Sequence, residues 1–399
     1  MRGDALTTLA DVCESVRYGY TASASLDACG PRFLRITDIV PDSLSWESVP
    51  YCEIDDSDRE RFALAVGDIV VARTGATVGY AKLIREPADA VFASYLVRFR
   101  VDPAKADPGF VGRLIESPVY KSFVKSRVGG AAQPNASAPV LGSFEFPLPS
   151  RHSQTRIADI LSAYDDLIEN NRRRMELLEE AARQIYREWF VRLRFPGHEH
   201  TRIINGVPEG WNPVPTPDAV DINPDTKLPD GVEHWSVEMA DLPLNSMVIQ
   251  QATRRDGRSG SKFKNGDTLF ARITPCLENG KTAFVDFLEE GEVARGSTEF
   301  IVLRSRRLTP QFVYCLARTY DFRENAIKSM VGSSGRQRVQ ESSLERYVVL
   351  VPTSTLLGVF TEAVRPMFRQ VKTLHSQNQK LRAARDLLLP RLMSGEIAV

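Results

Sequence analysis

The 399-residue sequence has few cysteines and no apolar run long enough to cross a membrane. Its five cysteines are scattered without C-x-x-C spacing, so we expect reduced, mostly buried thiols rather than a disulfide framework or a zinc site. Runs of about 18 apolar residues are absent, and the first residues lack the apolar core of a signal peptide. These absences lead us to expect a cytoplasmic protein with no membrane contact.

An excess of charge of either sign is also missing, since 51 basic residues balance 51 acidic ones. Neutrality by itself argues against a nucleic-acid-binding protein. The charges are unevenly distributed, however: basic residues concentrate in 113–127, 254–281 and 304–346, and acidic residues in 53–58 and 289–292. Local basic faces would suit a protein that binds DNA within a larger assembly, although ordinary solvated charge is the alternative interpretation.

What the sequence does contain is an internal repeat with a spacing of about 203 positions. Leu34 returns as Val237 in the second copy, and residues 67–73 match residues 266–272 after a four-residue gap. Residues 1–150 alternate short β-like runs with glycine-containing turns around a helical stretch at 108–128, and the order repeats over about 200–350. The pattern predicts two mixed α/β heads whose divergent segments carry two different specificities.

Each copy ends in a helix with a heptad pattern. After Pro149 and the potential cap Ser150, apolar residues recur at alternating spacings of four and three, interrupted by one polar position, Asn171, which we expect to set the register. The second helix repeats the pattern with Asn378 and Arg385 as its polar positions. The predicted seam consists of Ile157, Leu161, Tyr164, Ile168, Leu178 and Ile185 in the first helix and Val364, Val371, Leu374, Leu381 and Leu388 in the second.

Two apolar seams of matching length in one chain are expected to pair with each other. The alternatives are that each helix packs only on its own head or dimerises between chains. A pseudo-twofold relation between the repeats would make the pair antiparallel. We therefore predict an α+β fold in which two mixed α/β heads are separated by two long antiparallel coiled-coil helices. The predicted segments are head 1 (1–150), a central helix (151–195), head 2 (196–352) and a distal helix (353–399).

The chain resembles the specificity subunits of type I restriction–modification systems. The resemblance is carried by residues 154–161, 165–171 and 185–190 in the central helix, by 386–397 in the distal helix, and by the strand and turn at 67–76 in head 1. It extends over nearly the whole chain. The order of the segments is as diagnostic as any one of them.

This resemblance implies that the heads are two target recognition domains that read an asymmetric bipartite site on double-stranded DNA. It also implies that the helices dock two modification (methyltransferase) subunits and restriction (endonuclease/translocase) subunits. No cofactor is expected in this chain, with S-adenosylmethionine and ATP on the partner subunits. A coiled-coil scaffold that joins two protein-binding heads without DNA is the alternative function.

Catalytic motifs are not found in recognisable form. The strings at 212–215 and 223–225 lack the second proline and the aromatic residue of an amino-methyltransferase loop. The glycines between Gly75 and Lys82 do not have phosphate-loop spacing. His198 and His200 lack a third metal ligand nearby. We therefore expect a chain without catalytic activity of its own. This expectation argues against a third alternative, a single-chain restriction–methylation enzyme.

DNA reading requires loops whose backbone amides approach phosphates and whose side chains pair with base edges. For each candidate residue, a surface or strand-capping role is the alternative. Ser94 and Tyr95, and likewise Ser297 and Thr298, precede matching strands and are either further DNA contacts or turn residues. The predicted DNA-binding residues are Arg73, Thr74, Thr77, Gln133 and Asn135 in head 1 and Arg272, Thr274, Lys281, Arg336, Gln337 and Arg338 in head 2.

Overall fold

A computed structural model describes residues 5–40, 44–128, 134–333, 335–393 and 396–397. The chain forms two compact units. Unit 1 consists of Met1–Glu169 and Lys380–Val399, and unit 2 of Asn170–Gln379. Each unit therefore combines one head with segments of both long helices.

Unit 1 is built around a four-stranded antiparallel sheet in the order β2-β7-β4-β5. Strand β1 pairs with β8 in an antiparallel manner, and β3 pairs with β6 in a parallel manner. The strands are β1 Ala5–Thr8, β2 Cys13–Tyr18, β3 Arg32–Leu34, β4 Asp68–Ala72, β5 Ala81–Leu83, β6 Ala90–Phe92, β7 Leu96–Val101 and β8 Glu145–Leu148. The helices are α1 Ile36–Ile39, α2 Asp56–Phe62, α3 Pro108–Glu116, α4 Pro118–Arg127, α5 Ala138–Gly142 and the first part of α6 Arg151–Tyr186.

Unit 2 repeats this order, with a central sheet β12-β19-β16-β17 and a second sheet β14-β13-β18-β15. Its strands are β9 Ile203–Ile204, β10 Val207–Pro208, β11 Asn212–Pro215, β12 Val220–Ile222, β13 His234–Val237, β14 Thr253–Arg255, β15 Ser261–Lys264, β16 Thr268–Ala271, β17 Thr282–Phe284, β18 Val293–Gly296, β19 Phe300–Ser305 and β20 Val348–Val351. Its helices are α7 Thr216–Ala219, α8 Pro310–Ala317, α9 Tyr320–Lys328, α10 Glu341–Arg346 and most of α11 Ser354–Met393.

The same buried ion pair joins the central strands of both sheets. In unit 1 the guanidinium of Arg100 donates two hydrogen bonds of 2.7 Å to the carboxylate of Asp68. In unit 2 Arg304 donates bonds of 2.8 and 2.7 Å to Asp267. Both carboxylates are 1% exposed, so each charge is removed from water and depends on its bidentate partner.

The predicted α+β class and the internal repeat are confirmed.

Local sequence explains why the helices of head 1 begin where they do. Proline occupies the first turn of α3 and of α4, where its missing amide hydrogen costs nothing. The preceding side chains cap the helices: Asp107 accepts from the amide of Phe110 at 3.0 Å, and Ser117 accepts from the amide of Tyr120. Helix α3 then packs on strands β4, β5 and β7 of the central sheet, and α4 packs beside α3 and α5.

The two long helices pair in an antiparallel manner. Within unit 2 the side-chain amide of Asn171 donates to Oδ1 of Asn378 at 3.0 Å, and both residues are buried. Within unit 1 Arg385 donates to Asp165 at 2.6 Å. A later position in α6 thus meets an earlier position in α11, which confirms the predicted pairing. Asn171, which we expected to set the register, is thus hydrogen-bonded to Asn378, one of the two polar seam positions of the other helix.

The predicted seam residues pack on the heads as well as on the opposite helix. Ile157 and Leu161 belong to the core of head 1, and Val364 and Val371 belong to the core of head 2. Packing on the head was proposed as an alternative to helix pairing, and the structure contains both. The buried seam residues are Ile157, Leu161, Ile168, Val364, Val371 and Leu374, and the half-buried ones are Tyr164, Leu178, Ile185, Leu381 and Leu388.

A buried carboxylate attaches α6 to head 2. Glu179 is 2% exposed and accepts hydrogen bonds from the backbone amide of Met247 at 2.6 Å and from the hydroxyl of Tyr314 at 2.7 Å. Burial raises the pKa of Tyr314 well above its ordinary value, and the nearby Glu179 carboxylate raises it further. Tyr314 therefore remains a neutral donor to a charged acceptor.

Among the described residues, no helix has the length and apolar character needed to cross a membrane.

Removal of the Tyr314 hydroxyl should destabilise unit 2 more than removal of the Tyr120 hydroxyl destabilises unit 1. Both tyrosines are fully buried, but Tyr120 donates to the neutral carbonyl of Leu141 at 3.1 Å. We expect Tyr314→Phe to lower the free energy of unfolding by about 1.5–3 kcal/mol and Tyr120→Phe by about 0.5–1.5 kcal/mol. Hydrogen exchange of the buried amides of β16 and β4 measures each unit separately. An equal loss in the two variants would contradict the assigned role of Glu179.

Candidate nucleic-acid interface

In head 1 the turn that follows β4 lies beside the segment that precedes α5. The carbonyl of Arg73 accepts from the amide of Ala136 at 2.8 Å, and the amide of Gly75 donates to the carbonyl of Pro134 at 2.9 Å. Thr74 and Asn135 form an antiparallel bridge between these two bonds. Four of the predicted positions in head 1 are thus in one place, with Thr77 in the same turn as Arg73 and Thr74. Gln133 lies outside the described residues.

The Arg73 guanidinium is held by an aromatic ring and an amide. Its central carbon lies 4.8 Å from the centroid of the Tyr18 ring, and its terminal nitrogen donates to Oδ1 of Asn135 at 3.3 Å. Tyr18 is itself fixed, because its hydroxyl accepts from the amide of Ala138 at 2.8 Å. Contact with the ring and the hydrogen bond to Asn135 together fix the orientation of the planar cation. Tyr18 is part of this cluster and was missed by the sequence argument.

Head 2 contains the same backbone arrangement. The carbonyl of Arg272 accepts from the amide of Val339 at 2.9 Å, and the amide of Thr274 donates to the carbonyl of Gln337 at 3.0 Å. The hydroxyl of Thr274 also accepts from the amide of Gln337 at 3.0 Å. The two heads therefore present the same pair of chain segments.

The side chains on this shared backbone differ between the heads. Arg272 pairs with Glu341 at 3.0 Å, and Arg338 donates to both carboxylate oxygens of Glu299 at 2.6–3.0 Å. The hydrogen bonds from Arg338 hold the pKa of Glu299 below its ordinary value and raise the pKa of Arg338. Head 2 thus carries two arginine–glutamate pairs where head 1 carries a stacked arginine.

Two further predicted residues of head 2 have contrasting surroundings. Lys281 is directed into its own head, because its Nζ donates to the carbonyl of Met239 at 2.7 Å. Arg336 is exposed within a turn that is closed by two backbone hydrogen bonds of 3.0 Å between Val331 and Arg338. Among the residues that the structure describes, no protein partner is found for the exposed side chain of Arg336.

The structure shifts one expected equivalence by one residue. In the repeat of the sequence, Ser94 and Tyr95 match Ser297 and Thr298. In the structure the amide of Arg73 donates to the carbonyl of Tyr95 at 3.0 Å, whereas the amide of Arg272 donates to the carbonyl of Glu299 at 3.0 Å. Tyr95 therefore corresponds to Glu299, the residue after Thr298.

A small polar cavity lies beside Arg272 in head 2. Its volume is about 240 Å³, and its lining includes Asn223, Asp225, Lys262 and Thr298 together with Arg272. Hydrogen-bond donors and acceptors thus lie together next to the turn that contains the predicted DNA-binding residues. Sequence patterns gave no indication of this cavity, because its lining comes from four separate chain segments.

Comparison with known proteins gives both a family model and full-length relatives to which the chain is similar. Residues 7–180 match the family model described as the type I restriction modification DNA specificity domain. The chain is 24% identical over 355 residues to the type I restriction enzyme MjaIX specificity subunit of Methanocaldococcus jannaschii, covering 84% of this chain and 76% of that protein. It is 29% identical over 292 residues to the MjaVIII specificity subunit of the same organism, covering 70% and 68%.

A solved structure agrees with these relatives at the level of the fold. The crystal structure of a type I restriction-modification system S subunit from M. genitalium superimposes with a TM-score of 0.55 at 13% sequence identity, covering 98% of this chain and 97% of that one. Over most of its length the chain is similar to type I restriction–modification specificity subunits. Residues 7–180 match a DNA specificity domain, and the alternative of a scaffold without DNA finds no support among these relatives.

The two histidines after the central helix were considered above as metal ligands. Nδ1 of His198 contacts the carbonyl of Phe195 at 2.8 Å, which fixes the imidazole against the end of the helical segment. Within residues 5–40, 44–128, 134–333, 335–393 and 396–397, no cluster of three or more potential metal ligands is present.

Proposed function

We propose that this chain is a type I restriction–modification specificity subunit that reads an asymmetric bipartite DNA site, one half with each head, and itself carries out no catalysis. The observation that carries the proposal is that the same pair of backbone segments presents different side chains in the two heads. Arg73 with Asn135 occupies this place in head 1, and Arg272 with Arg338 occupies it in head 2. Residues 1–150 and 196–352 would then be the two target recognition domains.

The chemistry of these side chains suits direct readout of bases. Arginine pairs bidentately with guanine and asparagine with adenine in the major groove, whereas threonine hydroxyls and backbone amides bind phosphates. A constant backbone would position each head on the duplex by phosphate contacts. The divergent side chains would then select the bases, so the two half-sites would differ.

Exchange of one head should change one half of the recognised site. If residues 1–150 are replaced by the first head of a relative, we expect methylation mapping to show a new sequence in one half-site and the original sequence in the other. Exchange of residues 196–352 is the matched control and should change the opposite half. A change in both halves after a single exchange would contradict independent reading by the heads.

Partner subunits are part of the proposal. The formal net charge of zero limits the number of phosphates that the chain can neutralise, so tight binding would require basic surface from other subunits. We propose that two modification subunits dock on the long helices and that restriction subunits join this assembly, with S-adenosylmethionine and ATP bound by the partners. Exposed leucines on the long helices support docking there: Leu177 in α6 and Leu387 in α11 are each 70% exposed.

Charge placed on these leucines should weaken docking. We expect Leu177→Asp and Leu387→Asp each to reduce the amount of modification subunit that copurifies with the chain, because an unpaired carboxylate is costly to bury in an apolar interface. Leu26→Asp is the control, since Leu26 is 93% exposed in head 1 and lies on neither helix. Equal copurification of all three variants with the unchanged chain would remove the helices as the docking surface.

The length of the helices is proposed to set the unread gap between the half-sites. Asn171 and Asn378 face each other in the antiparallel pair, so any change of length must be matched on both helices. Four residues inserted after Asn171 and four before Asn378 would add about 6 Å to each helix, close to one full turn. This keeps the apolar seams approximately in phase.

The matched insertion should lengthen the gap by one or two base pairs while both half-sequences stay the same, because each base pair occupies about 3.4 Å of duplex. Methylation mapping of the variant complex measures the gap directly. Insertion of four residues after Asn171 in α6 alone is the control, and should prevent assembly because it moves the α6 residues that follow Asn171 away from their partners in α11. An active matched variant with an unchanged gap would refute the proposal.

A further inference from the structure

We infer that Tyr95 and Glu299, which occupy equivalent positions in the two heads, are specificity-determining residues of their respective half-sites. The inference rests on the proposed function and assigns the difference between the half-sites to one structural position. Glu299 is not among the residues predicted from the sequence to bind DNA, and Tyr95 was considered there as either a further DNA contact or a turn residue. Both directly precede the strand that lies second in the central sheet of their unit, Leu96–Val101 in head 1 and Phe300–Ser305 in head 2.

The equivalence of the two positions rests on three backbone contacts that recur in both heads. Tyr95 and Glu299 each accept from the arginine amide at 3.0 Å, as described above. Two residues before them, Ala93 donates to Leu34 at 2.9 Å, and Ser297 donates to Val237 at 3.1 Å. The same turn is closed in both heads by the first residue of the strand. The backbone is therefore constant where the side chains differ most in chemistry.

Tyr95 presents a large aromatic ring to solvent next to the Arg73 cluster. The residue is 61% exposed, and its carbonyl is fixed by the amide of Arg73. An exposed ring costs free energy unless a ligand covers it. Beside a guanidinium that can pair with a base, a ring of this size can pack on a thymine methyl group or against a base step. Tyr95 is therefore assigned an apolar contact with bases of the first half-site.

Glu299 presents the opposite chemistry. Its carboxylate can only accept hydrogen bonds and is repelled by phosphates, so it contributes to discrimination and not to general affinity for DNA. On DNA, this carboxylate can accept a hydrogen bond from an amino group on a base edge, such as N4 of cytosine. Arg338, bound to both oxygens of Glu299, has further donors that suit a guanine. The Glu299–Arg338 pair is therefore assigned to a cytosine or guanine position of the second half-site.

The negative charge of Glu299 also affects the affinity of head 2 for any DNA, which distinguishes it from a purely structural residue. Neutralising Glu299 would leave Arg338 and Arg272 without its negative charge and thereby increase attraction to any DNA. A residue that merely holds Arg338 in place would lower specific binding without raising binding to unrelated DNA. The ratio of specific to nonspecific affinity separates these two roles.

The experiment uses the full chain assembled with its modification subunits. Site preference is measured by methylation of a library randomised at every recognised position, and affinity by titration of specific and unrelated duplexes at one salt concentration. The variants are Tyr95→Ala, Tyr95→Phe, Glu299→Gln and Glu299→Ala. Tyr320→Ala and Glu290→Gln are matched controls: Tyr320 is 65% exposed at the start of α9, and Glu290 is exposed in the turn before β18.

We expect Tyr95→Ala to relax preference by about tenfold at one or two positions of the first half-site alone, and Tyr95→Phe to retain the preference. We expect both Glu299 variants to relax preference in the second half-site alone and to raise affinity for unrelated DNA. The controls should read the unchanged site. Thermal unfolding of each variant identifies any loss of fold, and Glu299→Gln preserves the shape of the side chain.

The inference is overturned if the variants at positions 95 and 299 recognise the same sequence as the unchanged complex, or if either substitution alters both half-sites. A fall in affinity for unrelated DNA with Glu299→Gln would assign Glu299 to the positioning of Arg338 instead. Failure of the proposed function gives a different result, because the unchanged complex would then show no bipartite sequence preference in the same library.

Discussion

The central helix α6 carries a buried carboxylate in each unit, and a buried charge needs hydrogen-bonding or ionic partners. The two units provide these partners in different ways. In unit 1 Asp165 of α6 is surrounded by three arginines, Arg113, Arg85 and Arg385, which join the head, the turn after β5 and α11 to one carboxylate. Burial lowers the pKa of Arg113 to about 10, and Arg85 adds to this effect. In unit 2 the corresponding attachment is made by Glu179 with a tyrosine hydroxyl and a backbone amide. The partners of Asp165 are thus charged arginines, whereas the partners of Glu179 are two neutral hydrogen-bond donors.

Aromatic packing completes the second attachment. Tyr314, Phe284 and Phe368 lie with ring centroids 5.1–6.0 Å apart, where edge-to-face contacts are favourable. The heads are thus repeats in topology and backbone hydrogen bonding, while the groups that hold them on the helices are unlike. Divergence in this chain extends from the turns proposed to bind DNA to the base of each head.

The sequence was sufficient for the repeat, the two α/β heads and the antiparallel helices, because these depend on patterns that are read along the chain. The apolar spacing around Asn171 indicated a polar register position. Its bond to Asn378 could not be read from the repeat, since an antiparallel pair joins positions that the repeat does not superimpose. The partners of the predicted arginines were also beyond the sequence: Arg272 and Glu341 are separated by 69 positions, and Arg338 and Glu299 by 39. Such pairs depend on side-chain geometry that local patterns do not encode.

Unit 2 is a continuous stretch of chain, whereas unit 1 is assembled from two stretches that flank it. During synthesis unit 2 can therefore fold as soon as its own residues have emerged, but unit 1 must wait for residues 380–393. Leu392 is buried in the core that contains Ile157 and Leu161, so these side chains stay uncovered until the distal helix arrives. An incomplete chain would carry a finished second head and an exposed apolar surface on the first, which is the kind of surface that quality-control chaperones and proteases bind.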